Sequence, residues 1–142
     1  MRASRRDERG AASLELVLLV PMIVLIAAVI VAGWRLGNAR ANVTAAAAAG
    51  ARVASQQRST ILASDRAAEV VTGDLTMMSV SCTDLTVHTN ATDLAKPAGT
   101  VGHTTVDVQC RVGLDDLVVP GLPGSVLVRA TAQERLDTYR ER

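Results

Sequence analysis

A single acidic side chain stands at the edge of a long apolar run. Glu15 lies between Leu14 and Leu16, where an uncharged stretch over residues 16–34 begins. A charge at the centre of a bilayer costs about 3 kcal/mol, and somewhat less near its edge. Such a carboxylate therefore usually has a partner. The alternative is that Glu15 extends into the head-group region without a specific partner.

The two cysteines, Cys82 and Cys110, are the second candidate for chemistry. Both lie after the apolar run, and two thiols outside a membrane most simply form a disulfide. Closing a loop of this length would contribute about 3–4 kcal/mol in the chain-entropy model. Two free thiols, or a metal site with His88 and His103, are the alternatives, although no CxxC or HxxxH spacing is present.

Residues 16–34 form the element that would position Glu15. These 19 residues, at about 1.5 Å of helical rise each, span roughly the 30 Å hydrocarbon core. A buried core helix is the alternative, but nothing else in the chain is large enough to bury a helix that is apolar all round. Arginines are denser before the run than after it, which favours a cytoplasmic N-terminus, with Trp34 at the outer interface.

The sequence around Glu15 resembles the type IV prepilin signal. Gly10 precedes Glu15 by five residues, and the apolar run follows directly. The resemblance implies that a membrane aspartyl peptidase, the prepilin peptidase, cleaves between Gly10 and Ala11 on the cytoplasmic face. Cleavage would create an ammonium at Ala11, one helical turn from Glu15, and opposite charges attract strongly in a low dielectric. In pilins the expected pairing is between chains, where it sets the axial register of assembly.

Pro21 narrows the resemblance to one family. Five residues separate Glu15 from Pro21, a spacing similar to that of TadE-like proteins of the tight-adherence (Flp) pilus system. The similarity covers residues 9–55 and implies a non-enzymatic minor pilin or pseudopilin that takes part in pilus assembly at the cell envelope. The implied partners are the membrane, other pilins, the pilus assembly platform and the prepilin peptidase. Pro21 removes one helical hydrogen bond and is expected to kink the membrane helix.

The segment after the membrane run is rich in alanine. Its composition predicts one unbroken helix over residues 12–71, ending at residues 72–74, where Gly73 is a good C-terminal signal. Small residues recur at every fourth position and form what we call the small-residue ridge: Gly33, Gly37, Ala41, Ala45 and Ala49. Such a ridge lets a partner pilin helix approach closely, although alanine-rich helices also show this spacing by chance.

Beyond residue 74 the pattern changes to that of strands. β-branched residues at period two predict strands over residues 75–82, 85–89, 104–112 and 125–131, with loops between them. We expect a small antiparallel sheet of three or four strands packed on the outer part of the helix. A polar tail over 132–142 would fray or form a short helix.

The predicted fold is therefore an α+β membrane protein. It has a basic cytoplasmic leader (1–10), a transmembrane helix (11–35), an exported helical stalk (36–73) and a small exported β-rich domain (74–142).

Composition and motifs argue against several function classes. The net charge is +1 and aromatic residues make up 1% of the chain, so neither electrostatic attraction to nucleic acid nor base stacking is indicated. The sequence has no Walker A, serine-hydrolase, zinc-protease or Rossmann motif. We therefore expect no cofactor, no metal and no enzymatic activity.

Two other functions stay open. Ser4-Arg5-Arg6 hints at a twin-arginine signal, and Ala39-Arg40-Ala41 fits a signal-peptidase site, which would give a secreted soluble protein that begins at Asn42. Glu15 and Pro21 fit poorly in such a signal. The other alternative is an uncleaved single-pass anchor that assists pilus assembly or export without entering a filament.

Overall fold

The computed structural model describes residues 7–97, 99–113 and 124–137. Two helices come first, α1 (Asp7–Ser55) and α2 (Thr60–Met77), followed by a strand, β1 (Cys82–Asn90), and a 3₁₀ turn (Thr92–Ala95). Strands β2 (His103–Gly113) and β3 (Ser125–Arg135) complete the order. The predicted α+β class, with a small antiparallel sheet packed on helix, is confirmed. Contacts divide the chain into two compact units, Met1–Arg35 and Leu36–Arg142.

The prediction of one helix over residues 12–71 is wrong, because the chain turns between Ser55 and Thr60. The amides of Gln56 and Gln57 donate to carbonyls three residues earlier, at 3.3 and 3.2 Å, which tightens the last turn of α1. Helix α2 then returns along α1 and buries one face: Ala63, Ala67, Val71 and Leu75. Burial of this face outweighs the few helical hydrogen bonds lost at the turn.

The end of α2 also differs from the prediction. The helix passes through Gly73 and ends at Met77, so the predicted strand over residues 75–82 is wrong. Leu75 continues the buried face of α2 at a spacing of four. The helix is capped instead near Ser79, whose φ of 56° is left-handed. The Val80 amide donates to the Leu75 carbonyl at 2.9 Å, a typical C-terminal closing bond.

The three strands form one antiparallel sheet in the order β1-β2-β3. Val108 pairs with Val87 on β1 and with Ala130 on β3, which defines the register across the sheet. The predicted strands over 85–89, 104–112 and 125–131 lie within these elements. Strand β3 runs on to Arg135, so the expectation of a frayed or helical tail is wrong for 132–135, which pair with the start of β2. Residues 138–142 lie outside the described part of the chain.

The inner face of the sheet packs against the two helices. Val106, Val108 and Cys110 of β2 are fully buried there. The helices contribute mainly alanine to this core, with Val43 and Val71 as their largest fully buried side chains. Small side chains bring the backbones close together, so the core is thin and contains no aromatic ring within the described residues.

Gly50 marks the point where α1, α2 and β2 meet. A Cβ placed on Gly50 would lie 2.8 Å from Val71 Cγ2, 3.4 Å from the Ala67 carbonyl oxygen and 3.6 Å from Val106 Cγ1. Val71 and Val106 are both fully buried and branched at Cβ, so neither has room to move aside. Glycine at this position therefore allows the closest contact between the three elements.

The predicted disulfide is confirmed. Cys82 and Cys110 are joined with an S–S distance of 2.02 Å and a sequence separation of 28. The bond links β1 to β2 beside a bulge, since the register of β1 shifts between Cys82 and Asp84. Closing this loop restricts the unfolded chain, which supplements a core built mainly from alanine and valine.

The Asp93 carboxylate connects the 3₁₀ turn to the start of β2 through a hydrogen bond. Its Oδ2 atom accepts a hydrogen bond from the His103 amide at 3.1 Å, and its Oδ1 atom lies 2.9 Å from Lys96 Nζ. The hydrogen bond from Lys96, followed by that from His103, lowers the pKa of the Asp93 carboxyl. Because solvent screens an ion pair of this kind, the contact orders the loop more than it stabilises the fold.

Reduction of the disulfide is expected to lower the free energy of unfolding by about 3–4 kcal/mol, the loop-closure contribution. Urea unfolding of the full chain in mild detergent, with and without reductant, measures this difference. A double variant, Cys82→Ala with Cys110→Ala, is the control and should not respond to reductant. An equal midpoint for the oxidised and reduced wild-type chain would contradict the prediction.

Gly50→Ala and Gly37→Ala are expected to act in opposite directions. Alanine favours helix over glycine by about 1 kcal/mol at either position. At Gly50 overpacking against Val71 costs about 1–3 kcal/mol, so the variant should be less stable. At Gly37 no neighbouring atom lies within 4 Å of the new Cβ, so the variant should be as stable as wild type or more stable. The same urea titration tests both, and a loss of stability at both positions would refute the packing role of Gly50.

Candidate functional site in the N-terminal helix

The residues predicted for cleavage and register lie in the first turns of α1. The helix begins at Asp7, so the backbone of Gly10, Ala11 and Glu15 is helical. Ala11 and Glu15 are four residues apart, which places them one above the other on the same face, about 6 Å apart along the axis. The Glu15 side chain lies outside the described residues. Its pairing with an ammonium at Ala11 therefore stays a prediction.

Apolar side chains of α1 are exposed on all sides between residues 17 and 34. The large ones that the structure describes, from Val17 to Trp34, are 47–70% exposed. One helix in the described part of the chain, Leu19–Ser55, is long and apolar enough to cross a membrane by length and composition, and its most apolar window is not buried at all. A signal sequence meets the same criteria, whereas the core helix of a soluble protein is mostly buried. This exposure is compatible with membrane anchoring of the segment.

Pro21 lies inside α1, and the helix continues on both sides of it. Because proline has no amide hydrogen, the carbonyl of Val17 receives no helical hydrogen bond from position 21. Membrane helices tolerate proline at such a position. The kink expected at Pro21 stays a prediction.

The small-residue ridge is not used by the chain's own core. No atom outside the helix backbone lies within 4 Å of where a Cβ would stand on Gly33 or Gly37. Ala41 and Ala45 are exposed, and Ala49 is partly buried. The buried face of α1 lies on the opposite side of the helix and consists of Val43, Ala46, Ala47, Gly50, Ala51 and Ala54. Most of the ridge is therefore exposed, and its packing against a partner helix stays a prediction.

The histidines and cysteines do not assemble into a metal site. Both cysteines are consumed by the disulfide, and His88 is exposed on the solvent side of β1. Within the described ranges, no group of three or more His, Cys, Asp or Glu side chains could hold a metal ion.

Sequence reasoning did not identify the contact between Gly50, Val71 and Val106. A signal for it was present, because residues 43, 46, 47, 50, 51 and 54 follow the i, i+3, i+4 spacing of a helix face that packs against a core. The ridge at 33, 37, 41, 45 and 49 also consists of glycine and alanine, so small residues alone could not distinguish the two faces.

A family model described as TadE-like protein matches residues 10–52, which is less than a third of the chain. The match begins at Gly10, includes Glu15 and Pro21, and ends near the C-terminus of α1. No curated protein and no solved structure matches the chain at a significant level. The family suggests a protein associated with the tight-adherence pilus. The resemblance predicted from Gly10, Glu15 and Pro21 is thus confirmed as a match of residues 10–52 to the TadE-like family model.

Proposed function

We propose that this protein is a minor pilin or pseudopilin that takes part in assembly of a tight-adherence pilus at the cell envelope. The observation that carries the proposal is the TadE-like match over residues 10–52, which begins at Gly10 and contains Glu15 and Pro21. The family is one of pilus-assembly components and is not known as enzymatic. The exposed apolar surface of α1 supports an anchor in the membrane.

The arginines at positions 2, 5, 6 and 9 keep the N-terminus cytoplasmic, and the rest of the chain after Trp34 is exported. The Cys82–Cys110 bond supports this orientation. Disulfides form and persist in oxidising compartments and are rare in the cytosol.

The first step is hydrolysis of the Gly10–Ala11 peptide bond by the prepilin peptidase. Water supplies one oxygen of the new Gly10 carboxylate, and its two protons go to the Ala11 nitrogen, which becomes an ammonium. The leader over residues 1–10 then leaves. The ammonium of one chain attracts the Glu15 carboxylate of a neighbouring chain near the membrane, where low dielectric strengthens the attraction. This pairing sets the axial register of the assembling helices.

The small-residue ridge is the second contact between neighbouring chains. Its exposed glycines and alanines allow helix backbones to approach closely. The opposite face of α1 is already buried against α2 and the sheet, so the ridge is the face that α1 offers to a partner beyond Leu36. The partner is a pilin helix of the same fibre or of its assembly platform.

Gly10→Val is expected to abolish cleavage, because it replaces the glycine after which the prepilin signal is cut. Glu15→Gln should allow cleavage but lower the amount of protein in sheared fibres by at least about tenfold, since it removes a charge partner in low dielectric. The matched control is Glu8→Gln, which removes a carboxylate from the departing leader. Mass spectrometry of the membrane and sheared-fibre fractions identifies the first residue of the mature chain and the fraction in which the chain is found.

The wild-type chain and the Glu8→Gln variant should both begin at Ala11. A mature chain that begins at Asn42 would identify a secreted protein instead. An intact leader in the wild-type chain would identify an uncleaved anchor. If the Glu15→Gln variant were present in fibres in normal amounts, the proposed role of Glu15 in setting the register would be contradicted.

Cysteines placed singly at Gly37, Ala41 and Ala45 and labelled with a thiol-reactive photocrosslinker are expected to crosslink to a neighbouring pilin when intact cells are illuminated. The control positions are Asp65 and Thr72, which are exposed on α2, away from the ridge. Crosslinking at the three ridge positions should exceed that at the controls several-fold. Equal yields at ridge and control positions would show that the ridge does not contact a partner.

A further inference from the structure

Among the residues that the structure describes, the outer edge of β3 has no neighbouring strand. Within the described part of the chain, β3 pairs with β2 on one side only, because the sheet order ends at β3. Its pairing with β2 is regular over all 11 residues, from Ser125 to Arg135, with no bulge and no proline. A long, regular edge offers a row of unpaired amides and carbonyls, which is a template for another strand.

The other edge of the sheet is less suited to such pairing. Strand β1 is shorter, at 9 residues, and its register shifts between Cys82 and Asp84. A bulge of this kind twists an edge and discourages further pairing. Helix α2 also packs against β1.

The inner face of β3 is incompletely covered. Val126, Ala130 and Ala132 are partly buried, whereas Val106 and Val108 on the adjacent strand are fully buried. Leu127, on the solvent face, is 37% exposed. A strand added beside β3 would remove further apolar surface from water on both faces.

We propose that the β3 edge pairs with the β3 edge of a second copy of this chain, in antiparallel orientation, to form a continuous six-stranded sheet. A two-fold axis requires that one residue lies opposite itself, and Ala130 is the midpoint of β3. This register pairs all residues of the strand and keeps even-numbered residues on the inner face of both copies.

The β3 sequence opposes no two like charges in this register, and Glu134 lies opposite Val126 of the second copy. Arg129 lies opposite Thr131 of the second copy, and Arg135 lies opposite Ser125, so no two like charges are directly opposed. On the inner face the branched Val128 lies opposite the small Ala132. A different partner strand would need its own matching pattern, whereas a second copy always supplies this one. The pairing needs no cleavage at Gly10 and is therefore independent of the proposed function.

A cysteine at Ala130 tests the register directly. Ala130→Cys would place two thiols opposite each other across the two-fold axis, about 4.5–5.5 Å apart at Cβ, within reach of a disulfide. The matched control is Val87→Cys, because Val87 lies in the same row of the sheet, partly buried, at the opposite edge. With the full chain in lipid vesicles, mild oxidation should convert most of the Ala130→Cys chain into a species of twice the monomer mass and leave Val87→Cys monomeric.

A spin-label measurement covers the case of a shifted register. Thr131→Cys and Thr86→Cys each place one label on an exposed residue of the solvent face, on β3 and β1 respectively. In the paired sheet the labelled residues of β3 lie about 7 Å apart, whereas those of β1 are separated by five strand spacings, about 24 Å. Dipolar broadening of the spectrum should therefore occur at Thr131 and not at Thr86.

Broadening at neither position, or equally at both, would overturn the pairing. A crosslinked species from Ala130→Cys whose mass differs from twice the monomer would also overturn it, since the occupant of the edge would then be another protein.

Discussion

At Gly50 two helices and the central strand come so close that no side chain fits between them. A Cβ there would stand 2.8 Å from Val71, and Val71 is itself fully buried against β2. Most side chains around this point are alanine or valine, so the three backbones approach closely. For the same reason, each residue buries only a small apolar area. The position of α2, and with it the placing of the sheet on the helices, follows from this contact.

A core of small residues buries little apolar area, and two features compensate for it. The disulfide joins the edge strand to the central strand and limits the freedom of the unfolded chain. The sheet register is regular between β2 and β3 over the whole length of both strands. These features explain how a unit with no aromatic side chain in its described core can hold one sheet on two helices.

Helix α1 meets two different requirements along its length. Between residues 17 and 34 its apolar side chains are exposed on all sides, which suits a lipid environment. From Leu36 onward one face is buried in the chain's own core, and the opposite face keeps the small-residue ridge exposed. One helix thus combines an exposed apolar segment, one side of the core and an exposed ridge of small residues. The TadE-like match ends at residue 52, close to the end of that helix.

Local patterns in the sequence predicted the apolar run, the TadE-like spacing of Gly10, Glu15 and Pro21, the disulfide and three of the strands. Each of these depends on residues near one another in the chain, or on the compartment, and needs no knowledge of packing. The turn after Ser55, the passage of α2 through Gly73 and the strand over 132–135 were decided by tertiary structure. In each case, burial or pairing with a distant segment outweighed the local preference. Alanine favours an unbroken helix and glycine favours a helix end. Neither preference predicts that Val71 packs against Gly50. The two faces of α1 are likewise both rich in alanine and glycine, and the position of α2 and the sheet determines which one is buried.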